Sequence, residues 1–420
     1  MRNPILSTPL LALAAAGMIA STAASAQTTV SVGQGYANEV YYDLQNGVVR
    51  TEPLNAWDIA FQVQGYASSI MINGGAGVTL YSVPGKTVEE WSQPLDTTGM
   101  AASWSSWHNS FDTWEGGAFN METDYNTGNF GWGEYNMNTH VVSGTTLYVI
   151  NLPDKSTKKI MVEGLSGGTY TFKYANLDGS NEVTATLPKS EFSGKNFGYY
   201  SIREGKVVDH EPAIAEWDLL FGKYTDLSND MPYVVTGVRA NMGVTVAAVE
   251  SETPATVAAP SDDAYTTKIT EIGYDWKTFT GTTYAVNDKL AFFVKDQGGS
   301  IYRIVFTGFG GSSTGNFVFN QELLGASSVK DEQGAATTAA IYPSIARSGS
   351  GVEVVYSLDR PVAGARVTLH DASGRMISTT ELDGAAGLHR APITAPDASG
   401  LYFVTIQSGA QRVSQRLIVQ

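Results

Sequence analysis

The side chains able to do chemistry are few and far apart. The chain has five histidines, His108, His140, His210, His370 and His389, and no two share the H-x-x-x-H spacing of a helical zinc site. With no cysteine, disulfides, thiolate metal sites, thiol nucleophiles and an acylated lipoprotein anchor are excluded. No nucleophile elbow of strand–turn–helix form is read, because Gly164–Gly168 reads as a hairpin turn between strands. Asp58 and Asp218 each follow a tryptophan inside a strand, in separate halves of the sequence. A pair of carboxylates for glycoside hydrolysis must share one cleft, so these two are expected to serve as buried or turn-capping hydrogen-bond acceptors. Trp91, Trp104, Trp107, Trp114 and Trp132 form the densest aromatic run. Such rings either fill a core or stack on sugar rings.

The elements that must position these residues have a period of two. Val40–Leu44, Thr146–Ile150, Tyr170–Tyr174 and Leu290–Val294 alternate as strands and are separated by Gly, Asn and Asp. Val88–Trp91 reads as one short turn of helix. The 44 glycines among recurring Tyr, Thr and Val favour β structure throughout. An internal repeat organises the chain. YYDLQNGVVRTEPLNAWDIAF, Tyr41–Phe61, returns as YYSIREGKVVDHEPAIAEWDLLF, Tyr199–Phe221. Downstream, Leu147–Tyr174 matches Ala291–Phe319 as strand, polar turn, strand, glycine turn, strand. Between these blocks the first copy carries a longer insert, which holds the tryptophan run. The second carries the exposed loop Thr253–Asp262. The formal net charge of −15 argues against binding to phosphate backbones.

Arg2, the apolar run Leu10–Ile19 and Ala24-Ser25-Ala26 form a secretory signal with cleavage before Gln27. No later stretch is apolar enough to span a bilayer. Gly325–Ala340 is a small, polar linker. Beyond it lie seven Arg, six Asp or Glu, no Lys and no Trp, a separate module read as a small sandwich of about seven short strands. Its landmarks are Tyr342-Pro343, Val352–Tyr356, Ala365–Asp371, Ser373-Gly374-Arg375, Ser399–Val404 and the terminal Arg416–Val419. This tail resembles the C-terminal sorting domain of type IX secretion cargo in Bacteroidota, except that Ser344-Ile345 stand where the family carries a second proline. The resemblance implies passage through the type IX secretion machinery across the outer membrane, then release or attachment at the cell surface.

The body has its own ordered landmarks: Tyr41-Tyr42, Gly47-Val48-Val49, Trp57–Phe61, Asn73–Gly77, Gly131–Met137, Leu147–Lys159 and Gly168–Tyr174. In this order they resemble the HmuY-like haem-binding proteins of the same phylum, over roughly 30–178 and more weakly over 197–321. The resemblance implies an all-β fold that grips haem between loops with two axial side chains, paired His or, in some relatives, Met. One family ligand follows Trp-x-Glu-aromatic-x, which here is Met137. The other lies upstream, at His108 or Met121, with His108 preferred. In the second copy Lys277 is aligned with Met137, so that copy is not expected to ligate iron, and His210 falls on an early strand away from the pocket. The expected architecture is all-β: signal peptide 1–26, HmuY-like domain 27–180, degenerate HmuY-like domain 181–324 in tandem, linker 325–340, and Ig-like sorting sandwich 341–420. The expected function is a non-enzymatic, exported surface protein that binds haem, or takes it from a haemoprotein. The alternative is an adhesive or carbohydrate-binding surface protein that has lost haem ligation.

Overall fold

The structure, a computed structural model, describes residues 26–420 apart from 66, 229–230, 326–336, 359–360, 363, 372–374 and 409–410. The expected signal sequence therefore lies outside the described residues except for Ala26, and so does most of the expected linker. The chain divides into two units, 1–326 and 327–420, and the fold is all-β, as its alternation predicts. The strands expected from period-two patterning are present. Thr169–Ala175 buries Tyr170, Phe172 and Tyr174 and turns Thr171 and Lys173 outward. Val88–Glu90 is a single 3-10 turn closed by a capping box between Thr87 and Glu90. Gly164–Gly168, whose letters fit G-x-S-x-G, joins the strands Thr157–Ser166 and Thr169–Ala175. Gly167 and Gly168 both have positive φ, the geometry a two-residue hairpin turn demands. There is no elbow leading into a helix here, so Ser166 is a turn residue.

Within the first unit the two repeats are not two bodies in tandem. The strand ahead of the first Tyr-Tyr motif, Ala26–Ser31, pairs with Asn316–Gly325 at the far end of the second repeat. The corresponding strand ahead of the second motif, Val183–Pro188, pairs with Thr169–Ala175 of the first. The Tyr-Tyr hairpins follow their lead strands. Strand Asn38–Asp43 pairs with the second Trp-Asp strand, Leu219–Asp226, setting Tyr42 against Leu219 and Tyr41 against Leu220. Strand Phe197–Ser201 pairs with the first Trp-Asp strand, Ile59–Gln62, setting Tyr200 against Ile59 and Tyr199 against Ala60. The two registers are equivalent residue for residue. Two cores result. One is drawn from residues 59–202 and includes Phe61, Trp132, Tyr170, Phe172, Leu187 and Tyr200. The other joins Val30, Val40 and Tyr42 to residues 219–319. The expected boundary at 180/181 is thus corrected. The first body is essentially 54–208, and the second is 209–325 completed by 26–53. A boundary at 180 cuts off the strands that complete the first body's sheets.

Each exchange is secured the same way. The Asp58 N–H donates to the Tyr200 carbonyl at 3.0 Å and the Asp218 N–H to the Tyr42 carbonyl at 2.8 Å. The Asp218 carboxylate accepts from the Leu44 N–H at 2.8 Å. Asp58, fully buried, accepts from the Arg203 N–H at 3.1 Å and from its guanidinium at 2.8 Å. Asn73 and Asn241 occupy matching corners: each side-chain amide donates to the carbonyl of its own repeat's tryptophan, Trp57 and Trp217. The two aspartates are hydrogen-bond acceptors that hold the other repeat's hairpin, as their sequence context predicts.

The second unit is a β-sandwich. A three-stranded sheet, Thr337–Tyr342, Gly351–Leu358 and Gly387–Thr394, shares one core with a five-stranded sheet built on Arg366–Asp371, Gly400–Ser408 and Gln411–Val419. Val354, Tyr356, Val404, Ile406 and Leu417 fill that core. Its first strand begins at Thr337, inside the expected linker, because Thr337–Tyr342 pairs along the length of Gly351–Leu358. No helix among the described residues is long and apolar enough to cross a membrane.

Candidate functional site

The candidate ligands lie on the first body's large sheet. Strand Ser106–Trp107 pairs with Thr79–Thr87 at the sheet edge, and its short hold on the sheet fixes His108, the next residue. The imidazole Nε2 is 2.9 Å from the Ser106 hydroxyl, and the His108 backbone N–H donates to the Met121 sulfur at 3.2 Å. Partial burial pushes the imidazole pKa below its ordinary value, which keeps the ring neutral at neutral pH. When Nε2 donates to Ser106, Nδ1 carries the lone pair. Met121 is partly exposed, at 38%. Met137 belongs to a different element, the turn of hairpin Gly133–Asn136/Val141–Gly144, and is 81% exposed. The same turn carries His140, whose Nδ1 is 2.7 Å from the Tyr135 hydroxyl. The structure therefore joins His108 to Met121 and shows Met137 as an exposed thioether, not a core filler. Among the described residues no group of three or more His, Asp or Glu could hold a metal ion.

The tryptophans do not form an exposed platform. Trp107, Trp114 and Trp132 are buried, at 5%, 6% and 0% exposure. Trp91 and Trp104 pack on a cluster with Val83, Leu147 and Met161. Trp114 reaches across to the second body, where its indole N–H donates to the Ala240 carbonyl at 2.8 Å.

Hairpin Lys277–Phe279/Tyr284–Val286 of the second body is the counterpart of 133–144. The Trp132 carbonyl accepts from Thr145, just past its hairpin, and the Trp276 carbonyl accepts from Asn287, just past the other. Trp276 thus matches Trp132, and Lys277 matches Gly133. The expected alignment of Lys277 with Met137 is corrected: the counterpart of Met137 lies in the turn 280–283. Sequence alignment slipped here because the two segments share a glycine but little else.

A polar cluster missed by sequence reasoning lies where the bodies meet. Glu39, at 2% exposure, accepts from the Trp57 indole N–H at 3.1 Å, pairs with His210 Nε2 at 2.8 Å and takes a guanidinium N–H of Arg239 at 3.2 Å. Burial works against its charge, but the His210 hydrogen bond and the His210 and Arg239 charges outweigh it and hold the carboxyl below its usual range. Arg239 lies 4.8 Å from the Trp114 ring centroid and 5.4 Å from that of Tyr224. Glu211, also buried, accepts the N–H groups of Asn196 and Phe197, yet burial pushes its carboxyl up to about 7. The Tyr41 and Tyr199 hydroxyls meet beside it at 3.5 Å. A signal was available in the repeat itself: Glu39 stands two residues before Tyr41, where the second copy has Phe197. In keeping with that difference, the Trp57 indole N–H has an acceptor and the buried Trp217 indole N–H has none among the described residues. The neighbouring space, lined by Glu39, Trp57, Gly74, Gly75 and Arg239, measures only about 20 Å³, room for a single water and for no larger ligand. The cluster is structural.

The sequence and fold define an all-β protein with an interlocked two-body unit and a terminal sandwich. No protein family matches the chain, and no curated protein matches it. Among solved structures it is similar to the sulfur carrier protein SoxY from Chlorobium limicola f thiosulfatophilum, at 19% identity over 20% of this chain and 79% of that one, with TM-score 0.15. It is also similar to dimeric latent PorU from Porphyromonas gingivalis, at 9% identity, 84% of this chain and 31% of that one, TM-score 0.17. A polysaccharide lyase matches at 8% identity, 87% of this chain and 40% of that one, TM-score 0.18. The chain spans less than half the length of these last two.

Proposed function

We propose that the protein is an exported, non-catalytic surface protein whose first body binds haem, and that its terminal sandwich is the address read by type IX secretion machinery. One observation carries the haem reading: His108, whose partial burial keeps its imidazole neutral, is tied by its backbone N–H to the Met121 sulfur at the edge of the sheet whose 133–144 hairpin presents the exposed Met137 thioether. Haem iron accepts imidazole and thioether, and the imidazole must be unprotonated to bind. The Ser106 hydroxyl on Nε2 is the kind of outer contact that fixes a ligating ring. The residue types present fit the group: Met137, together with His108 or Met121, would hold it. When bound, haem supplies the iron; the chain supplies the side chains that hold it. The carbohydrate-binding alternative finds less support, since Trp107, Trp114 and Trp132 are buried and Trp91 and Trp104 are half-buried against a core cluster.

Titrating the mature protein with ferric haem is expected to give a saturable, shifted Soret band. His108→Ala should weaken it at least tenfold, and Met121→Ala or Met137→Ala should change the ferrous spectrum. An unshifted band, or one unaltered when His108 and both methionines are replaced, overturns the haem reading. The export reading has its own test. A chain ending at Ala326 should stay with the producing cell while the full chain reaches the surface or medium, and equal export of both would refute it.

A further inference from the structure

The second body carries a cavity that neither the repeat nor the haem reading accounts for. It measures about 290 Å³, beside hairpin 277–286, and its walls are largely aromatic: Tyr36, Tyr274, Phe279, Tyr284 and Phe309, with Tyr233 at the rim. Phe279 is 58% exposed and Tyr233 67%. Apolar rings left open around a concavity mark a ligand site more often than a packing fault. Lys277 lines the same cavity and is itself 9% exposed. Its Nζ donates to the Thr236 carbonyl at 2.7 Å and the Tyr274 carbonyl at 3.1 Å, and lies 4.6 Å from the Trp276 ring centroid and 4.7 Å from that of Phe309.

Among the described residues no carboxylate pairs with this amine. Asp275 acts on it only through space, and Asp226 is spent on the Tyr274 hydroxyl at 3.0 Å. The other titratable groups around the cavity are the phenols of Tyr36, Tyr233, Tyr274 and Tyr284. Burial lowers the Lys277 pKa to about 7. A neutral amine has two hydrogens and one lone pair, and here two carbonyls take the two hydrogens. Lys159 in the first body holds two carbonyls in the same way, those of Trp91 and Gln93; burial lowers its pKa too, but Glu182 and Asp178 act against that shift. The matching residue in the first body is Gly133, where an added Cβ would sit 2.5 Å from the Ser143 carbonyl oxygen. The lysine is thus a feature of the second body alone.

We propose that this cavity is a carbonyl-capture site, in which the Lys277 amine condenses with an aldehyde carried on an aromatic or similarly apolar group. The nitrogen lone pair forms a bond to the carbonyl carbon while the C=O π pair moves to oxygen. Both amine hydrogens then leave with that oxygen as water, and a C=N double bond remains. Uptake of a proton by the imine restores one N–H for the Thr236 carbonyl. The aromatic walls supply stacking surface for the aldehyde's substituent, and a desolvated lysine is the nucleophile such condensations use. The site is independent of the haem reading, which concerns the other body.

The test is reductive labelling of the full mature protein with benzaldehyde and cyanoborohydride at pH 7, followed by peptide mapping. Lys277 should be alkylated about tenfold or more faster than the surface lysines, since an ordinary lysine is only about one-thousandth neutral at that pH, and faster than Lys159, whose nearby carboxylates oppose its loss of charge. Lys277→Met should abolish the fast adduct. Phe279→Ala, at an exposed ring that the fold does not need, should slow labelling by benzaldehyde several-fold while leaving labelling by acetaldehyde unchanged. Should Lys277→Met fail to fold, the site map of the unaltered protein and the Phe279→Ala comparison decide alone. Labelling spread over the surface lysines with none at Lys277, or equal rates at Lys277 and Lys159, overturns the proposal.

Discussion

A fragment spanning residues 54–208 is expected to fold cooperatively, and one spanning 27–180, the division the repeat suggests, is expected to remain unfolded. The reason is the exchange of strands. Residues 27–180 lack Val183–Pro188 and Phe197–Ser201, which pair with Thr169–Ala175 and Ile59–Gln62. Leu187, Phe192, Tyr200 and Ile202 leave the core with them. Each large apolar side chain so lost removes about 1.5–3 kcal/mol. Four of them take away an amount comparable to the roughly 5–15 kcal/mol that stabilises an ordinary domain. The same fragment carries Asn38–Asp43 with no Leu219–Asp226 to pair with, an open strand edge that invites aggregation. Fragment 54–208 keeps every strand of its core, although it exposes the ring faces of Trp57, Trp114 and Tyr199, which pack on Tyr41 and Trp217 in the whole protein. It should therefore melt cooperatively at a lower temperature than the whole chain. Far-UV circular dichroism and amide spectra of the two fragments decide the matter. A cooperative melt for 27–180 would remove the interlocked architecture.

The second large effect is expected at Glu39. Replacing it by Ala leaves three buried donors, Trp57 Nε1, His210 Nε2 and the Arg239 guanidinium, without their acceptor. Breaking a buried charged pair by removing one partner costs about 3–5 kcal/mol, because the other charge stays buried and unpaired. A urea midpoint for Glu39→Ala should fall accordingly. The double change Glu39→Met with Arg239→Met should recover much of the loss, since two well-packed apolar side chains replace a desolvated pair. A loss below about 1 kcal/mol for Glu39→Ala would show that solvent reaches this cluster and that Glu39 is not the acceptor it depends on.

Much of the fold was legible in the residues. Alternation placed the strands because each has one face in a core, as Tyr170, Phe172 and Tyr174 do. The tail read as a sandwich because its apolar residues, Val352, Val354 and Tyr356, recur at every second position. The exchange of strands was not legible, because pairing partners leave no mark in a repeat: Tyr42 sets against Leu219 in the structure, and against its own copy's Ile59 it would read identically. The boundary was misplaced for the same reason. Glu39 was overlooked because a lone acidic residue before an apolar run looks like a solvent-facing strand end. Only the contrast with Phe197 at the matching position marks it. His108 was legible as a candidate, but its contact with Met121 was not, because the loop between them has no periodicity from which contact could be read.

The pairing of Ala26–Ser31 with Asn316–Gly325 also fixes an order of events. The earliest-made of the described strands has nothing to bind until almost three hundred residues later, so the second body closes last and slowly, as long loops must. The first body needs only the stretch 54–208 and can settle while the remainder is still arriving. Within the leading segment only the local hairpin of Asn38–Asp43 with Gly47–Pro53 can close early; the strand ahead of it waits for its distant partner.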